Sequence, residues 1–127
     1  MPMPFRALPL ALAFGLCAAA PVRAWEPGPW TRTDSWWEAG FVAVVAMDCG
    51  QSEQLRPQGR YERNPCLPRH PSPATIRMIC LGSVLGHAAV SRALPTAWRR
   101  RWQTVTVALE AATVTNNYFR VGLRIRF

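Results

Sequence analysis

The sequence contains no lysine. All fifteen basic residues are arginines, set against seven acids and two histidines, for a net charge of +8. A GC-rich coding bias, visible also in the Ala and Pro content, accounts for that choice of base. The arginines are scattered through loops and tail, and Arg99-Arg100-Arg101 is their one tight cluster. That is not the basic stripe of a nucleic-acid binder, so no nucleic-acid partner is expected. Gly-rich phosphate loops are absent. So are Cys-x-x-Cys and Glu-x-x-His metal spacings, and no Gly-x-Ser-x-Gly or Ser/His/Asp context marks a nucleophile. The expectation is a non-enzymatic chain with no cofactor and no metal. Long apolar runs are missing too. The clean apolar cores are roughly 9 to 14 residues, against about 20 for a comfortable membrane span.

The chain is short enough for one domain at most. Its start reads as a secretory signal peptide over residues 1–24. Arg6 is the only early charge, Ala7 to Ala20 is apolar, and Val22-Arg23-Ala24 offers a small-residue cleavage site. Leu16 before Cys17 argues against a lipoprotein signal, which wants a small residue there. Cleavage removes Arg6 and Arg23 and no acid, taking the charge from +8 to +6. It leaves Cys49, Cys66 and Cys80, an odd number that excludes a fully paired intramolecular framework. Cys49 and Cys80 lie in apolar segments, where a thiol packs as a small hydrophobe. Cys66 lies in a loop and could pair with either in an oxidising compartment.

After an irregular lead-in over 25–35, three helices are expected over about 36–55, 74–94 and 99–117. Thr33, Asp34 or Ser35 can cap the first, with Glu38 facing its dipole. Five prolines between residues 57 and 73 forbid a continuous helix there. Ser72-Pro73 reads as a cap followed by Pro at the first helical position, and Pro95 ends the second helix. Trp98-Arg99-Arg100-Arg101-Trp102 reads as a basic aromatic girdle that anchors the chain to anionic lipid headgroups. The end of the chain reads two ways. Residues 103–127 are either helix plus a short extended tail, or a β-hairpin turning at Asn116-Asn117 before the alternating run that ends at Phe127. About 100 mature residues are too few for an eight-stranded outer-membrane barrel. The favoured fold is an all-α, three-helix membrane-type mini-bundle, and the alternative is a soluble domain with short core helices. Counting flanking Gly, Ser, Thr and aromatic residues stretches each segment to a spanning length, and Gly82, Ser83, Gly86 and Ala89 would let helices approach closely in lipid.

If the segments are helical, residues three and four apart share a face. Asp48, Gln51 and Ser52 form one stripe, Ser83, His87 and Ser91 a second, and Thr106, Glu110, Thr113 and Asn117 a third. With Glu62 and Asn64 in the Pro-rich loop, they could converge on one polar network of Asp48, Gln51, Glu62, Asn64, His87, Glu110 and Asn117. Ionisable groups inside a bilayer mark functional or pairing sites. The structural alternative pairs Asp48 and Glu110 with Arg63 or Arg77, and makes His87 a hydrogen-bonded core residue. A carboxylate/His metal set of Asp48, Glu62, His87 and Glu110 is the least supported option.

The order Asp48-Cys49-Gly50-Gln51-Ser52, Tyr61-Glu62-Arg63-Asn64-Pro65-Cys66-Leu67, Pro71-Ser72, Leu94-Pro95, Arg101-Trp102-Gln103, Glu110 and Asn116-Asn117 resembles a family of small, predicted membrane proteins from proteobacteria and their phages. The family pattern runs D-x-x-Q-[ST], E-x-N-P-x-L-G, P-[ST], then a late Glu and Asn. The resemblance covers residues 36–127. Pro68 stands where the family has Gly, which changes the turn after Leu67. The resemblance implies a helical membrane protein and no particular activity. Together these observations lead to an exported protein of the bacterial inner membrane or periplasm, with a phage or prophage origin as the source the resemblance suggests. The alternative is a soluble periplasmic or outer-membrane-associated interaction module, with a membrane hydrolase behind both.

Overall fold

The computed structural model describes residues 25–62 and 66–124. The signal segment 1–24, Asn64 and the last three residues lie outside the described residues. Three helices of equal length follow one another: α1 (Arg32–Ser52), α2 (Pro73–Ala93) and α3 (Thr96–Asn116). The fold is an all-α three-helix mini-bundle, and no strand occurs among the described residues.

Helix α1 begins four residues before the expected Trp36, because Thr31 caps it. The Thr31 hydroxyl accepts from Asp34 N–H (3.2 Å), and the Asp34 carboxylate accepts from Thr31 N–H (2.8 Å). This reciprocal capping box satisfies two donors at the helix start. Helix α2 starts as expected: Ser72 Oγ accepts from Thr75 N–H and Pro73 takes the first helical position. It ends at Ala93, where Leu94 turns extended (ψ 144°) ahead of Pro95. Helix α3 starts straight after Pro95, three residues before the expected Arg99, so the whole Trp98–Trp102 girdle lies within its first turns.

Side-chain pairings fix the directions. Glu38 meets His87 and Cys49 meets Cys80, so α1 and α2 run antiparallel. Asp34 meets Arg99 and Asp48 meets Asn117, so α1 and α3 run parallel. Helix α1 packs most extensively on α3, and α2 touches α3 least. A Cys49–Cys80 disulfide joins α1 to α2 (Cα–Cα 6.5 Å). The sequence left the connectivity of Cys49, Cys66 and Cys80 open; here Cys49 meets Cys80, and Cys66 is exposed in the loop and takes no part in this bond.

Among the described residues the hairpin does not form, and the tail starts later than expected, only after a further helical turn. Asn116 is the last residue of α3, and a π-helical turn, Asn117–Val121, continues it. Gly122 stops the turn in the left-handed region (φ 76°), where a residue without Cβ is at no disadvantage. Leu123 then folds back and is buried. Two glutamines of the α1 end hold it there. Gln51 Nε2 donates to Val114 O (3.2 Å) and Leu123 O (3.3 Å), and Gln54 bonds both backbone groups of Arg124. Those bonds satisfy backbone groups that a strand would have to pair elsewhere.

The packing is inverted relative to a water-soluble bundle. The largest fully buried side chains are Arg99, Gln51, Gln103, Asp34 and Ser91, all polar. Among the described residues the fully buried apolar side chains are Phe41, Val45, Leu55, Ile76, Val114 and Leu123, while Met78 (68% exposed), Leu81, Leu85 (60%), Val105 and Leu109 (63%) face outward.

Candidate functional site

The buried polar groups gather at two levels of the bundle, not one. The first level joins the start of α1, the end of α2 and the start of α3. Successive residues of a helix point about 100° apart, so Arg99, Arg100 and Arg101 cannot share a direction. Arg99 is the one turned inward, and it is 1% exposed. Its five N–H groups make five hydrogen bonds. Nε donates to Ser91 O (2.7 Å), Nη1 to Pro29 O (2.9 Å) and Asp34 Oδ2 (3.2 Å), and Nη2 to Gly28 O (2.6 Å) and Leu94 O (3.1 Å). A guanidinium has no more donors than that. Arg100 binds the other oxygen of Asp34 (3.2 Å), and the Trp30 ring lies under Arg92 (4.4 Å) and Arg99 (5.3 Å). Arg99 is therefore a clamp on the lead-in and on the α2–α3 connection. The expected role of Arg99 at the headgroup layer is corrected on that ground. Arg101 stays exposed beside Trp98, and Arg100 is partly exposed.

One turn deeper, His87 ties the three helices together. Its Nδ1 lies 2.8 Å from Glu38 Oε2 of α1, and its Nε2 lies 2.7 Å from Thr106 Oγ1 of α3. The ring stacks on Phe41 (3.7 Å between centroids, 12°) and faces Trp102 at 5.3 Å. Gln103 Nε2 donates to Glu38 Oε1 (3.0 Å). Both oxygens of the carboxylate are thus engaged, by His87 and Gln103 with the Ser91 side chain close by, and the imidazole is held at both nitrogens.

The second level lies near the other end of α1. Asn117 Nδ2 donates to Asp48 Oδ1 (3.1 Å), and Asp48 is within electrostatic reach of both Glu62 and Glu110. Gln51 is fully buried beside this group and spends its amide on the tail; its Oε1 has no hydrogen-bond partner among the described residues. Five of the seven network residues expected from sequence, Asp48, Gln51, Glu62, Glu110 and Asn117, are therefore brought to one end of the bundle. Asn64 lies outside the described residues. His87 does not belong there: it sits in the first level, on Glu38. The four-residue set of Asp48, Glu62, His87 and Glu110 is accordingly not assembled, and no three His, Cys, Asp or Glu residues gather at metal-binding distance among the described residues. Arg77 pairs with Glu53 on the surface (2.8 Å), not with Asp48 or Glu110. Ser83 and Thr113 leave their stripes, each exposed and bonded back to the carbonyl four residues earlier.

Reading by stripes missed Asp34, Glu38, Arg99 and Gln103. Asp34 and Glu38 look like ordinary first-turn acids, and Arg99 is hidden in a run of three arginines. One signal was present: Asp34, Glu38 and Phe41 recur at helical spacing on α1, as Arg99, Gln103 and Thr106 do on α3. No family model, curated protein or solved structure matches the chain.

Proposed function

We propose that the chain is an exported integral membrane protein of the bacterial cell envelope, a bundle that keeps its polar groups inside and turns its apolar side chains to lipid. The observation that carries this reading is the inverted packing. In water, each large apolar side chain left outside forgoes about 1.5–3 kcal/mol of burial, and α2 alone exposes Met78, Ile79, Leu81, Leu85 and Val90. In a bilayer the same surface is solvated, and the interior is where ionisable groups must pair.

Helix α2 fits a span in both length and composition. Its 21 residues extend about 31 Å, close to the roughly 30 Å of hydrocarbon. Its most apolar 18-residue stretch has a mean hydropathy of 1.3, and only 17% of that stretch is buried inside the protein, whereas the central helix of a soluble domain is mostly buried. Helices α1 and α3 are less apolar but equally long; Asp34 and Glu38 of α1 meet Arg99 and Gln103 of α3, while Thr104, Thr113, Thr115 and Asn116 of α3 stay exposed. Arg92 stacks over Trp30 of the lead-in and Arg101 over Trp98 of α3, two basic–aromatic pairs of a composition suited to anionic headgroups.

Carbonate extraction of cell membranes, with intact mass of the purified chain, tests the reading. Retention in the membrane pellet with residues 1–24 removed is expected. Release into the soluble fraction would overturn it in favour of a soluble periplasmic module.

A further inference from the structure

Glu38, His87 and Thr106 come from three different helices, and their spacing has a chemical meaning beyond holding the bundle. We infer that Thr106, His87 and Glu38 form a hydroxyl–imidazole–carboxylate relay in which Thr106 Oγ1 is an acyl-accepting nucleophile. The 2.7 Å from Thr106 Oγ1 to His87 Nε2 and the 2.8 Å from His87 Nδ1 to Glu38 Oε2 are the reach such a relay needs. Nδ1–H donates to the carboxylate, which leaves Nε2 as the acceptor for the hydroxyl proton. Thr106 can instead donate to Trp102 O (2.8 Å); rotating the proton onto Nε2 readies the oxygen for attack. The supporting groups are in place. Gln103 fixes Glu38, and the imidazole is sandwiched by Phe41 and Trp102.

A second observation points to a ligand. The Trp102 indole Nε1 is buried with no hydrogen-bond partner among the described residues. A buried indole N–H ordinarily finds an acceptor. Trp102 lies one turn before Thr106 on α3, with its ring on His87. Its N–H is the donor at hand for an oxyanion forming on a carbonyl attacked by Thr106.

Access is by the α2–α3 seam, the least packed of the three, where Thr106 is only half buried. Val90, Val105 and Leu109 are exposed along these two helices. A substrate arriving over that surface must be apolar around its carbonyl, which makes it a long-chain carboxylic ester. That substrate class rests on the membrane reading; the relay does not. In the first step Oγ1 bonds to the carbonyl carbon and its proton passes to Nε2. The ester C–O bond then breaks, and the leaving alcohol takes the proton from the imidazolium. In the second step water attacks the acyl-threonine, its proton passes through His87 to Thr106 Oγ1, and the free acid leaves. The sum is ester plus water giving acid plus alcohol.

The test uses the full chain in detergent micelles, with a long-chain fluorophosphonate probe and p-nitrophenyl decanoate and acetate as substrates. Expected are a probe adduct mapped by mass spectrometry to Thr106 and decanoate hydrolysis. Thr106→Ser should retain both. Thr106→Val and His87→Ala should lose both, with activity down on the order of a thousand-fold. Glu38 is a positioning residue. Glu38→Gln should lower kcat with little change in KM and shift the pH profile, and Glu38→Asp should restore part of the rate. A folded chain, judged by circular dichroism, that takes no label at Thr106 overturns the relay, as does labelling that persists in His87→Ala. Labelling at Thr106 with acetate preferred to decanoate overturns the lipid-like substrate and leaves the relay standing.

Discussion

Arg99→Lys separates charge from geometry at the inner clamp. Lysine keeps the positive charge near Asp34 but offers three donors from one nitrogen, where Arg99 satisfies five acceptors spread over Ser91, Pro29, Asp34, Gly28 and Leu94. At least two acceptors are then left without their donor. Each buried polar group deprived of its partner costs about 1–3 kcal/mol, so the substitution should destabilise the bundle by about 2–6 kcal/mol, a large share of an ordinary domain's roughly 5–15 kcal/mol. Arg101→Lys is the matched control: Arg101 is exposed, and its exchange should stay within about 0.5 kcal/mol. Denaturant titration of both variants in the same detergent, followed by helical circular dichroism, gives the comparison. If Arg99→Lys costs no more than Arg101→Lys, the five-bond clamp does not stabilise the bundle and the reasoning fails.

Three further outcomes follow from named contacts. A Cβ on Gly28 would collide with the Thr96 hydroxyl, so Gly28→Ala should lower the melting temperature, and adding Thr96→Ala should recover part of the loss. The Cys49–Cys80 bond closes a loop with a sequence separation of 31. Chain entropy then gives it about 3.5–4 kcal/mol, so Cys49→Ser with Cys80→Ser should lower stability by up to that amount, while Cys66→Ser leaves the oxidised mass pattern of the 49–80 pair unchanged. Gln51→Ala removes the two donors that hold Val114 O and Leu123 O. Hydrogen exchange over residues 117–124 should accelerate, with the middle of α1 unchanged; equal protection in the variant would mean that Gln51 does not hold the turn.

Half of the site was legible as stripes. Asp48, Gln51, Glu110 and Asn117 lie on helical faces that do meet, because the phase of each helix follows from its sequence. His87 was placed in the wrong company. Its distance from Asp48 along the bundle depends on how α2 is shifted against α1, and nothing in either helix alone states that shift. Glu38 was read only as a partner of the helix dipole, since its contact with His87 spans 49 residues of chain.

By itself the sequence determined the number of helices and where they stop. Ser72-Pro73 starts α2, Pro95 separates α2 from α3, and the prolines of the 53–72 connection exclude helix there, all through steric and hydrogen-bonding rules that act within a few residues. Tertiary structure alone decided which of three consecutive arginines turns inward, which cysteine Cys49 meets, and whether residues 117–124 pair as a strand or fold back as a turn. Each of those choices rests on acceptors and donors that come from other helices: the carbonyls of Gly28, Pro29, Ser91 and Leu94 for Arg99, the α2 register for Cys80, and the Gln51 and Gln54 amides for the tail. Burial makes those distant partners obligatory, because a polar group removed from water must find its match within the fold.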